Sequence, residues 1–178
     1  MSDARWMDVE DDFAAAADHF GKAVQLFRIG GFDCDGLDGY RSKMAFMHAM
    51  QSAHTSLEGG LSRILDMLGE ELPTGTHWHE KLVTRVSKQT ADRPAILSAQ
   101  TALLADETRR FRNVETRNYN NFRADEAGKA VAAAETLSIC IMTELHVFKD
   151  AIDPPVCSKC GAIPCICDEG GTPPVPGM

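Results

Sequence analysis

Five arginines, Arg109, Arg110, Arg112, Arg117 and Arg123, fall within fifteen positions against one acid, Glu115. Arginine presents a planar, permanently charged fork that matches phosphate oxygens. With Asn113 among them and the hydroxyl of Tyr119 close by, the stretch reads as a phosphate site for a nucleotide or RNA. A solvated, salt-bridged helix end is the alternative. A second group is Cys157-X-X-Cys160 and Cys165-X-Cys167, with Gly161 and Pro164 turning the chain between the pairs. Four thiolates are the number that a closed tetrahedral zinc site requires. Zinc would anchor this tail, because metal binding supplies folding energy; redox-active or simply reduced thiols are the alternative. The pair His77-X-His79 lacks a third ligand and reads as structural. His48 and His54, six residues apart, do not share a helix face and read as structural or exposed. The aspartates of 33–38 lack the ordered glycine and distal glutamate of a calcium loop.

These groups have to be positioned by helices. Phe13, Ala16, Ala17, Phe20, Val24 and Phe27 recur at three- and four-residue steps, predicting a helix over 5–29 that Gly30-Gly31 ends. A second helix is expected over 40–68, with Leu57, Leu61, Ile64, Leu65 and Leu68 on one stripe. Gly59-Gly60 inside it costs about 1 kcal/mol per glycine relative to alanine, which a close helix–helix approach would justify. After Pro73-Thr74-Gly75, Thr76 is the expected cap of a short helix. Arg93-Pro94 is expected to open the next, proline being suited to a first turn, and this helix delivers the arginines at its C-terminal end. If it is continuous, positions 112 and 117 point about 140° apart, so an end or bend at Asn113 or Thr116 would be needed to align them. A last helix is expected over 124–151, with Ala127, Ala130, Val131, Ala134, Leu137, Ile141, Leu145 and Phe148 as its stripe. No strand pattern appears. The prediction is an all-α, up-and-down bundle of about four to five helices. Residues 1–39 form an N-terminal helix and turn, 40–153 the main helical domain, and 154–178 a Cys-rich tail whose end lacks order.

At 178 residues the chain is long enough to bury one core. Its formal net charge of −8 argues against general adhesion to nucleic acid or anionic membrane, though not against a local basic cleft. No apolar run approaches the roughly 20 residues that span a bilayer. The acidic start, MSDARWMDVEDDF, lacks the order of a signal peptide. The expected compartment is the cytoplasm.

Short motifs from 44 to 152 resemble, in order, the HEPN superfamily and within it the HepT-like ribonuclease toxins of toxin–antitoxin pairs. They are Gln51-Ser52-Ala53 to Leu57-Glu58, Leu72-Pro73-X-Gly75, Trp78-His79-X-X-Leu82, Arg93-Pro94-Ala95-Ile96-Leu97, and Arg110-Phe111-Arg112 leading into Tyr119-X-X-Phe122. The family's signature is arginine, four residues, histidine, one residue, tyrosine. Arg112 and Tyr119 fit its ends, and Arg117 stands where the histidine should be.

The resemblance implies metal-independent RNA cleavage by Arg112, Arg117 and Tyr119, with Arg109, Arg110, Asn113 and Arg123 holding phosphate. It also implies a homodimer that joins two motifs in one cleft. A further implication is a nucleotidyltransferase-type antitoxin that modifies Tyr119. An arginine cannot exchange a proton usefully at neutral pH, so cleavage should fall by the 10²–10⁴-fold that a general base contributes in order of magnitude. Three readings follow: a weakened ribonuclease toxin; an inactive relative that binds RNA, nucleotide or antitoxin through the same cleft; and an interaction module that works through the zinc tail.

Overall fold

Five helices run through the described residues: α1 (Ala4–Ile29), α2 (Gly36–Met67), α3 (Trp78–Val86), α4 (Ala99–Arg117) and α5 (Gly128–Ile152). The structure, a computed structural model, describes residues 4–117 and 127–154, with 113–117 as backbone only. Among these there is no strand. The result is the all-α bundle that the helical spacing of apolar residues demands.

The first helix is central. Trp6, Val9, Phe13, Ala16, Phe20 and Val24 are buried along it. Gly30 and Gly31 then end it at φ 74° and 81°, left-handed backbone that glycine adopts without a Cβ clash. It runs antiparallel to α2, with the Phe27 and Phe46 rings 5.5 Å apart at one end and Arg63 donating to Asp12 at 2.8 Å towards the other. It also runs antiparallel to α5. Trp6 Nε1 donates to Asp153 at 3.0 Å, Lys149 pairs with Glu10 at 2.6 Å, and Arg28 pairs with Glu135 at 2.7 Å. The close approach foreseen at Gly59-Gly60 is present: a Cβ on Gly60 would lie 2.6 Å from Phe13 Cδ2. The missing side chain lets the Phe13 ring rest on the backbone of α2.

By length and composition α5 could cross a membrane, its mean hydropathy reaching 1.4. This corrects the expectation that no segment comes near that test. In the fold, Ala130, Val131, Ala134, Leu137, Ile141, Leu145 and Phe148 are buried, and α5 packs against α1 and α4. Its apolar stripe is core.

Several helix boundaries differ from expectation. The second helix starts at Gly36, four residues early, because Asp35 is already extended at its N-cap. His77 rather than Thr76 precedes the first turn of α3. Arg93-Pro94 does not open α4. The buried Arg93 guanidinium instead donates to Glu70 and to the carbonyls of Lys88 and Pro94, while Thr90 N–H closes a turn on the Arg93 carbonyl. The cap of α4 is Ser98, whose Oγ accepts the Thr101 N–H at 3.1 Å. The fourth helix continues unbroken to Arg117, so the end or bend expected at Asn113 or Thr116 does not occur. Phe111 packs edge-on against Phe46 at 5.7 Å and, with Phe27 and Phe32, anchors the arginine-bearing end of α4.

Candidate functional site

Helices α2, α3 and α4 meet at one carboxylate. Glu58, on the inner face of α2, is nearly fully buried. It accepts His54 Nε2–H at 3.1 Å, His79 Nδ1–H at 2.5 Å and Arg112 Nη1–H at 3.2 Å. An ionised carboxylate is an acceptor only, and three donors suit it. Burial by itself would raise the Glu58 pKa. The hydrogen bond and charge of His54, the charge of Arg112 and the hydrogen bond from His79 outweigh burial and hold the pKa below the ordinary carboxylate value.

The two histidines differ. His54 is fully buried, one helical turn before Glu58. Desolvation, the largest effect, lowers its pKa below the ordinary imidazole value against the opposing pull of Glu58. Its Nδ1 faces Thr108 Oγ1 at 3.4 Å, and that hydroxyl also lies 2.9 Å from the Ala105 carbonyl. The single hydroxyl proton serves one of them at a time.

His79 is 26% exposed. Its tautomer follows from its partner: an ionised carboxylate has no proton to give, so Nδ1 carries one. With a proton on Nδ1, the acceptor position of the ring is Nε2; Arg112 Nη2 lies 3.2 Å from Nε2 and 3.4 Å from Nδ1. Trp78 stacks on the ring with centroids 3.7 Å apart, limiting its rotation. A carboxylate thus orients an imidazole whose outer nitrogen lies beside a guanidinium. Such an arrangement can orient a proton acceptor beside a cation.

The other sequence-predicted residues are placed as follows. Arg112 belongs to the cluster. Arg109 and Arg110 share Asp106, at 2.6 and 2.7 Å; Arg109 is mostly covered, whereas Arg110 stays exposed. For Asn113 and Arg117 only the backbone, in α4, is described. Tyr119, Arg123 and the four cysteines Cys157, Cys160, Cys165 and Cys167 lie outside the described residues. Among the described residues no group of His, Cys, Asp or Glu could hold a metal ion. On α3, a groove of about 650 Å³ is lined by His77, Glu80, Lys81, Thr84, Arg85 and Lys88, four of the six being cationic or imidazole side chains.

The model of the HepT-like protein family matches residues 45–152, more than half of the chain. The chain belongs to the HepT-like family. The match begins and ends within a residue of the motif resemblance, and brings with it a HEPN-type helical fold. Neither curated proteins nor solved structures gave a match. In this HepT-like chain Arg112, the residue that the motif resemblance sets in the arginine position, is surrounded by Glu58, His79 and His54. The sequence reading of His54 as structural or exposed, and of His79 as structural, did not bring the two together with Glu58 and Arg112. Two signals could have found it. His54 and Glu58 are four apart and share a helix face, and both Leu57-Glu58 and Trp78-His79 lie within the family's motifs.

Proposed function

We propose that this HepT-like chain is a metal-independent endoribonuclease of the toxin type, acting in the cytoplasm. The observation that supports it best is the position of Arg112. One of its amino groups is held by Glu58, and the other lies against the imidazole of His79. A phosphodiester drawn to the guanidinium meets a group able to take a proton, and positive charge for the phosphorus as its bonds rearrange. In this reading Arg109, Arg110, Asn113, Arg117 and Arg123 add phosphate contacts, and two copies pair to form one cleft. A nucleotidyltransferase-type antitoxin silences the enzyme at Tyr119. The cysteine tail carries zinc in a structural role.

A second reading keeps the cleft and drops the chemistry: an inactive relative that binds RNA, nucleotide or antitoxin. The presence of Arg117 in the histidine position favours it. One experiment separates the two. A fluorescent single-stranded RNA is incubated with the protein in excess chelator, and cleavage and binding are measured in parallel for the wild type and for Arg112→Ala. The ribonuclease reading expects cleavage that Arg112→Ala abolishes. Binding without cleavage supports the inactive relative. Neither binding nor cleavage ends both.

A further inference from the structure

From the geometry around Glu58 we infer that His79, aimed by Glu58, is the proton acceptor of the cleavage step and fills the role vacated at position 117. The inference rests on the ribonuclease reading. It begins with the family signature, which places the proton-transfer histidine on the same helix as the arginine, where this chain has Arg117. A guanidinium cannot accept a proton. The imidazole has to come from elsewhere, and α3 brings one to the same guanidinium.

Three features make His79 more than a neighbour. Its Nδ1–H is fixed on a buried carboxylate, which sets the tautomer with the lone pair on Nε2. Its Nε2 lies 3.2 Å from Arg112 Nη2. In RNA the 2′-oxygen is adjacent to the phosphorus it attacks, so a phosphate held at Arg112 would bring a 2′-hydroxyl within reach of the His79 ring. Finally, His79 is partly exposed, whereas His54 is sealed in the core. Of these two histidines, His79 is the one open to a substrate. His79 faces Glu58 of α2 and Arg112 of α4, while its own helix contributes the Trp78 ring.

The step balances without an added reactant. The 2′-O–H gives its proton to Nε2, and the 2′-oxygen bonds to phosphorus. The bond from phosphorus to the 5′-oxygen breaks, and that oxygen takes a proton from solvent. The products are a 2′,3′-cyclic phosphate and a 5′-hydroxyl. His79 then returns its proton to solvent. Glu58 is a positioning residue: it holds the ring and balances its charge, but does not touch the RNA.

The test compares wild type, His79→Ala, His79→Gln and His48→Ala, the last an exposed histidine of α2 remote from α3. Each is checked for folding by circular dichroism. Turnover is measured on RNA with metal chelated, and affinity on the same RNA carrying 2′-O-methyl groups, which cannot react. The expected result is a loss of turnover of about 10²–10⁴-fold in both His79 variants, with affinity nearly unchanged. Added imidazole restores part of the turnover of His79→Ala, and His48→Ala behaves as wild type. Should His79→Ala fail to fold, His79→Gln keeps a donor for Glu58 without being able to carry the proton. Wild-type turnover in the folded His79 variants overturns the inference and leaves the ribonuclease reading standing. Lost affinity without imidazole rescue makes His79 a binding group and also overturns it. A wild type that cuts no RNA ends the ribonuclease reading, and this role with it.

Discussion

Glu58 keeps its charge in the core only because three side chains give it hydrogen, and acid should reveal that dependence. The pKa of His54 is lowered in the fold, so below its ordinary value near 6.5 the unfolded chain binds a proton that the folded chain refuses. Stability is therefore complete above that value and falls as pH drops beneath it, by at most about 1.4 kcal/mol per pH unit. Glu58, also lowered, adds a second loss below its ordinary value near 4.5. Urea denaturation from pH 7 to 4 is expected to show both limbs, and His54→Gln to remove the upper one. The Glu58–Arg112 pair makes a separate prediction. Arg112→Met leaves a buried carboxylate with two imidazoles and no permanent cation, and is expected to cost about 3 kcal/mol in urea unfolding. Glu58→Gln in the same chain should recover part of that loss, because it removes the charge left unbalanced.

The helices themselves were largely legible, because burial writes a period into the sequence and each stripe could be read without knowing its partner. The exceptions have local causes. Arg93-Pro94 has the composition of a helix start, but the Arg93 side chain closes a loop against Glu70, and Ser98 caps the helix instead. Gly59 and Gly60 looked equivalent in sequence and are not. A Cβ at Gly60 would strike the Phe13 ring at 2.6 Å, whereas one at Gly59 would lie 3.3 Å from the Asp12 carboxylate, the end of a movable side chain. Gly60→Ala is expected to lower stability by about 1–3 kcal/mol despite the better helix former, because the core cannot make room. Gly59→Ala is expected to be neutral or to gain up to about 1 kcal/mol. Thermal melts of the two variants check both.

At the scale of the whole molecule, the cluster around Arg112 was hidden because its members are distant along the chain. His54 and Glu58 come from one helix, His79 from a second, and Thr108 and Arg112 from a third. Periodicity reports which face of a helix is buried, not which faces meet. The N-terminal helix was set apart from the main domain by its lack of family motifs, and the HepT-like match also begins after it, at residue 45. Yet Phe13 and Phe20 are fully buried, and α1 supplies the surface on which α2 and α5 pack. A fragment of residues 40–153 is therefore expected to be insoluble or to lack a cooperative melt, as followed by circular dichroism and light scattering. The same arrangement bears on how the chain assembles. Its first helix can join α2 at once across a short turn, but its other partner lies at the far end of the sequence, Trp6 reaching Asp153. At roughly 5–20 residues per second, a ribosome needs several seconds to make the stretch between α2 and α5. For that interval the side of α1 destined for α5 stands open, so the newborn chain should be a client for chaperones that shield apolar helices until the last one arrives.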